Sequence, residues 1–142
     1  MVYRRHAWYL VGFCHRRNEI RLFRLNRIKK ITLLDKSFDK KQDFSLSDFF
    51  KDSWELYTGE PVYVRIKFRG IGAKVIESGQ HHPSEKTTKL KDGSSVYEAK
   101  VAGTEEIYRW VLGFGGDANV LEPKELKERI KSTIEKMKRF YG

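Results

Sequence analysis

Trp8-Tyr9-Leu10-Val11-Gly12-Phe13-Cys14-His15, then Arg16-Arg17-Asn18-Glu19, then Ile20-Arg21-Leu22-Phe23-Arg24-Leu25-Asn26-Arg27-Ile28 is the stretch on which the reading of this chain turns. Two apolar runs rich in aromatic and β-branched residues flank a short polar segment, which is the pattern of a β-hairpin. The second run carries three arginines within seven residues. Arginine presents a planar fork of donors that suits phosphate or carboxylate, so three on one short strand point to an anion site. The competing reading is a set of solvated arginines, or arginines paired with acids.

Strict alternation puts Arg21, Phe23, Leu25 and Arg27 on one face of the strand, and Leu22, Arg24 and Asn26 on the other. The three arginines then meet in one pocket only if the strand bends or bulges, and the region of Phe23-Arg24 is where a bulge would do it. Without one, the site is split and one arginine serves a structural pair. Tyr9, His6 and His15 lie close in sequence; Tyr9 could stack a base or hydrogen-bond a phosphate.

The same stretch resembles a known family. Trp8-Tyr9-Leu10 followed by Arg21-x-Phe23-Arg24-Leu25-x-Arg27-Ile28 is similar to the core of the WYL domain, named for that tripeptide. The resemblance covers residues 3 to 38 for the WYL core and 60 to 140 for a C-terminal extension called WCX. It implies a small Sm-like or SH3-like barrel, with a basic pocket that includes arginines of this motif. It also implies a bacterial transcription regulator that senses a ligand, often nucleic acid. In that family a winged helix-turn-helix and earlier barrel strands precede this point, so either Met1 begins a fragment or the gene itself is short; the fragment is preferred, because so apolar a hairpin would otherwise expose a long strand edge. Asn26 stands where an aspartate is common in the family, which removes a partner for an arginine. The ligand-binding set is then Tyr9, His15, Arg21, Arg24 and Arg27.

Charge supports an anionic partner without the resemblance. The 142-residue chain has net charge +10, yet residues 1–30 hold nine basic groups against the single acid Glu19, a local +8. A field so concentrated attracts phosphate-rich partners and speeds encounter, whereas solubility needs no such asymmetry. One cysteine, Cys14, excludes an internal disulfide framework and a multi-cysteine zinc site. No apolar run is long enough for a membrane span and no signal-peptide pattern is present, so a cytoplasmic protein with no membrane partner is expected.

The remaining chain reads in order. Lys29 to Leu34 is expected as a third strand closing the barrel, and the polar residues 35–43 as a connection. Ser45 or Ser47 can cap a short helix through Tyr57, with Phe50, Trp54 and Tyr57 as its apolar stripe. Thr58-Gly59-Glu60-Pro61 ends it. Val62 to Phe68 alternates cleanly as a strand, and residues 70–78 form a short helix. Residues 87–90 and 95–101 pair across the turn Lys91-Asp92-Gly93-Ser94. Thr104 caps a helix from Glu105 to Leu112 with Gly113 after it, Asn119 to Leu121 is a short strand, and Pro123 opens a final helix with Leu126, Ile130, Ile134 and Met137 along one side. The order βαββαβ plus a helix is ferredoxin-like, and the WCX extension is similar in element order.

The fold class is therefore α+β, with a partial barrel at residues 1–44, a helix and linker at 45–61, and a ferredoxin-like extension at 62–142. Catalysis has little support: there is no nucleophile elbow, Walker lysine or His-Glu-x-x-His motif, and a nucleotide-processing enzyme is the weakest of three readings, lacking an acid–base pair or metal cluster. His81-His82-Pro83 reads as loop histidines, and Gly113-x-Gly115-Gly116-Asp117 as a plain helix-to-strand turn because it follows a helix instead of preceding one. No cofactor and no metal are expected. The leading function is a ligand-sensing module that binds single-stranded nucleic acid or a nucleotide. It would form a homodimer through the extension and reach a DNA operator through a helix-turn-helix outside this chain. The second is a non-sensing interaction domain that dimerises the regulator or contacts RNA polymerase.

Overall fold

The structure is a computed structural model that describes residues 1–38, 44–54, 56 and 60–142. It divides into two compact units, Met1–Phe44 and Ser45–Gly142. The first is a three-stranded antiparallel sheet in the order β1 (Val2–Arg4), β2 (Ala7–Cys14) and β3 (Glu19–Arg24). Arg4 pairs with Ala7, so Arg5 and His6 alone make the first turn, and both take positive φ (48° and 57°). A two-residue loop with both residues left-handed matches the twist of its strands, and no glycine or asparagine marks it in the sequence. β2 and β3 run in continuous register from Tyr9 opposite Arg24 to Cys14 opposite Glu19. Their turn closes with the Asn18 amide donating to the Cys14 carbonyl at 2.7 Å, and Asn18 supplies the left-handed residue.

Two expectations for this unit fail. The bulge near Phe23-Arg24 is absent; β3 stays regular to Arg24 and passes into a 3-10 turn over Leu25–Arg27. Residues 29–34 form no strand, and Ile31 and Leu33 stand 82% and 95% exposed, so no closed barrel exists among the described residues. The apolar alternation there is real, but a lone strand has no partner edge to hold it.

The second unit begins with α1 (Leu46–Phe50), capped by the Ser45 hydroxyl accepting from the Asp48 amide at 3.2 Å. The helix stops at Phe50, short of the expected end; Trp54 lies beyond it, and Tyr57 falls outside the described residues. Next come β4 (Pro61–Phe68), α2 (Gly70–Glu77), β5 (Lys86–Lys89), β6 (Ser95–Ala102), α3 (Glu105–Leu112), β7 (Ala118–Glu122) and α4 (Lys124–Tyr141). The sheet order is β5-β6-β4-β7, all neighbours antiparallel.

Alternation along β4 makes the core: Val64, Ile66 and Phe68 are fully buried, while Tyr63 and Arg65 face outward. Tyr97, Ala99 and Val101 of β6, Ile76 of α2, Ile107 and Val111 of α3 and Leu126 of α4 complete it. The β5–β6 hairpin turns with Gly93 at φ 78°. Thr104 precedes α3 but makes no side-chain cap, and Gly113 stays right-handed at φ −64°, the left-handed residue being Gly115. The glycine-rich turn that follows carries Asp117, whose carboxylate accepts from the Gly72 amide at 3.0 Å in the first turn of α2. On α4 the apolar stripe runs off the unit: Leu126 is buried, but Ile134 and Met137 are half exposed.

Candidate anion-binding site

Antiparallel partners point to the same side of a sheet, so the register places Tyr9 and Arg24 side by side. The 3-10 turn then does for two of the three arginines what the bulge was expected to do for all. With three residues per turn, residues i and i+3 eclipse, and Arg27 comes to the side of Arg24. The turn is closed by the Ile28 amide donating to the Leu25 carbonyl at 3.1 Å. Tyr9, Arg24 and Arg27, with Leu22, Phe23 and Ile28 as apolar walls, line a depression of about 330 Å³. The walls were missed in the sequence reading, although Leu22 shares the alternation face of Arg24.

Arg24 is half-buried, and its Nε finds no hydrogen-bond partner among the described residues. A guanidinium keeps its charge at every physiological pH, so a buried N–H of this kind asks for an acceptor. Arg27 is exposed at the rim.

The other two sequence candidates lie elsewhere. Arg21 sits opposite Gly12, and its guanidinium pairs with the Glu19 carboxylate at 2.8 Å. It is the arginine that serves a structural pair. His15 is exposed in the hairpin turn, its ring edge-on to Phe13 at 5.2 Å, and is not among the residues lining the depression. Among the described residues no cluster of three or more His, Cys, Asp or Glu could hold a metal ion, and no helix is long and apolar enough to cross a membrane.

Comparison with known families agrees with the motif. The WYL domain profile matches residues 1–33, and the WCX domain profile matches residues 60–138. The chain belongs to the WYL–WCX family. A relative, the uncharacterized HTH-type transcriptional regulator YobV of Bacillus subtilis (strain 168), is 27% identical over 143 residues, covering 94% of this chain and 42% of its own length. This WYL–WCX chain thus spans less than half of that relative. Among solved structures, the proteasome accessory factor B/C (PafBC) of Arthrobacter aurescens aligns with a TM-score of 0.46 and 23% identity, over 92% of this chain and 20% of its own. Within the WYL match lie all five candidate residues, and the WCX match takes in every strand and helix from β4 to β7.

Proposed function

We propose that this chain is the ligand-sensing and regulatory module of a bacterial transcription regulator. In this reading the first unit is part of an Sm-like barrel, and the second is a ferredoxin-like extension that dimerises the regulator. The Tyr9–Arg24–Arg27 depression takes a phosphate-bearing ligand, a short single-stranded nucleic acid or a nucleotide. The observation that carries the reading is the buried, unpartnered Arg24 Nε in an apolar-walled depression beside a second arginine. Leaving such a donor unpaired costs about 1–3 kcal/mol, and a phosphate oxygen would recover it. Apolar walls suit a base or sugar, and Tyr9 offers a ring to stack on and a hydroxyl to donate. Operator recognition would fall to a helix-turn-helix outside this chain, as the name of the Bacillus relative suggests. The test is fluorescence anisotropy with labelled short single-stranded DNA at two salt concentrations. Saturable binding that competes with a nucleotide supports the reading, and its absence sinks it.

A second reading is a non-sensing interaction module, and the exposed apolar end of α4 favours it. Ile134, Met137, Phe140 and Tyr141 stand between 50% and 85% exposed. A protein that dimerises with no anion affinity would fit this reading alone.

A further inference from the structure

The second unit holds a cleft of its own, at the end of β4. Val64, Ile66 and Phe68 point into the core, so Lys67 points to the open face of the sheet. Arg69 keeps an extended backbone, at φ −135° and ψ 171°, and alternation returns its side chain to the side of Lys67. The chain then turns into α2 through Gly70 at φ 57°. Asn119 of β7 is the register partner of Lys67 and faces the same way. The β5–β6 turn brings in Asp92 and Ser94, and the glycine-rich turn after α3 brings in Gly116 and Asp117. These residues line a cleft of about 650 Å³, a size that suits a small molecule. Among the described residues that line it, only Ala118 is apolar, so its occupant is polar.

Most of the charge in the cleft is already committed. Lys67 donates to Asp92 Oδ2 at 2.9 Å, and Asp92 Oδ1 accepts from the Ser94 amide at 3.0 Å and from the Ser94 hydroxyl. The Ser94 hydroxyl first, and Lys67 next, hold the Asp92 carboxyl well below the usual carboxylate range. Arg69 is different. Its Nε donates to the Gly116 carbonyl at 3.2 Å, and its amide donates to the Asp117 carbonyl at 2.9 Å. The guanidinium is thus held by one edge, and its two terminal nitrogens have no partner among the described residues. Such a fork takes a carboxylate through two parallel hydrogen bonds. Asp117 follows the carbonyl that holds Arg69. Its Oδ2 accepts from the Gly72 amide at 3.0 Å, and its Oδ1 accepts from no donor among the described residues. The two side chains make no ion pair with each other, which leaves a gap between a free cation and a free acceptor.

We propose that this cleft binds a free α-amino acid, its carboxylate on the Arg69 fork and its ammonium on Asp117 Oδ1. A carboxylate alone would leave Asp117 unanswered, and an amine alone would leave Arg69 unanswered; the zwitterion answers both. A phosphate would meet the acids Asp92 and Asp117 with nothing to offer them. Asn119 and the Lys67–Asp92 pair favour a short polar side chain. The proposal rests on the second unit alone and stands whether or not the depression of the first unit takes a nucleotide.

The experiment is an amide-shift titration by NMR on the full chain at neutral pH and constant ionic strength. The probes are L-serine, ethanolamine, which lacks its carboxylate, and 3-hydroxypropionate, which lacks its ammonium. Serine should shift the Arg69, Ser94, Gly116, Asp117 and Asn119 amides saturably, and each fragment should bind at least about tenfold more weakly. Arg69→Lys keeps the charge and loses the fork, so it should weaken serine about tenfold. The same change at Arg65, which sits beside Glu98 and Glu122, should leave serine binding as it was. A Cβ on Gly116 would meet nothing within 4 Å, so Gly116→Val should fill the cleft, abolish binding and keep the fold, read from the Val64 and Ile66 amides. Shifts that never saturate, a fragment that binds as well as serine, or an Arg69→Lys chain that binds like the wild type would each overturn the proposal. If Gly116→Val does not fold, the three probes on the wild type and on Arg69→Lys decide by the same criteria.

Discussion

At the scale of single residues, three arginines that look equivalent in the sequence are not equivalent in the fold. Arg21 already has Glu19, Arg27 is at the rim, and Arg24 keeps a buried donor without a partner. Each charged hydrogen bond to a bound phosphate is worth on the order of 1.5–3 kcal/mol, or roughly tenfold to a hundredfold in affinity. Arg24→Ala and Arg27→Ala should each weaken short single-stranded DNA by that factor with the circular dichroism spectrum unchanged. Arg21→Ala should lose little, and Arg16→Ala or Arg17→Ala, in the exposed turn, several times less than Arg24→Ala. Equal losses at the turn and at Arg24, read by anisotropy at two salt concentrations, would mean diffuse electrostatics and no pocket. Sequence alternation could separate Arg21 from Arg24 but could not reunite Arg24 with Arg27. That needed the 3-10 turn, which no local signal in Leu25-Asn26-Arg27 announces.

At the scale of elements, the second unit was legible almost throughout. Its strands alternate, α3 and α4 open with acids or proline, and its hairpin carries glycine at the left-handed position. The first unit was legible only as one hairpin. β1 turns through Arg5-His6, whose residue types hide a left-handed turn, and the Lys29–Leu34 run alternates without a neighbour to pair with. His81-His82 reads as loop histidines because a dipeptide says nothing of Trp54, whose ring stacks on His82. The α2 start shows a link the glycine-rich turn hid. A Cβ on Gly72 would stand 2.9 Å from the Asp117 Cβ, whereas one on Gly79 would meet nothing within 4 Å. Gly72→Ala must shift backbone and disturb the bond from its amide to Asp117, so a loss of roughly 1–3 kcal/mol is expected. Gly79→Ala should be neutral or gain up to about 1 kcal/mol through the unfolded chain. Chemical denaturation of the two variants compares them directly; a neutral Gly72→Ala would show that the turn yields freely.

At the scale of the whole molecule, the proposed regulatory role rests on what the two units bind. The basic excess of residues 1–30 makes weak, salt-sensitive duplex binding the expectation. No helix pair of the described residues is joined by the tight turn of a helix-turn-helix. Sequence-selective nanomolar binding of this chain to one operator at physiological salt would refute that. Self-association rests on other residues. Tyr97 is taken up by the core, Trp110 packs against it, and Tyr63 donates its hydroxyl to Glu98. One apolar surface left over is the end of α4, where Ile134 and Met137 continue the line of Leu126 and Ile130 beyond the packed part of the helix. A stripe continuous with a core, half exposed and flanked by Lys136 and Lys138, suits a second apolar surface better than water. We expect a dimer in sedimentation at tens of micromolar that survives removal of residues 1–44, because the stripe and its supporting core, with Trp54 packed on it, both lie in the second unit. Ile134→Glu with Met137→Glu should return it to monomer and leave the denaturation midpoint of the unit nearly unchanged, since neither side chain is buried. A monomer at every concentration would count against α4 as an interface, and a dimer untouched by the double substitution would move the contact to another face of the unit.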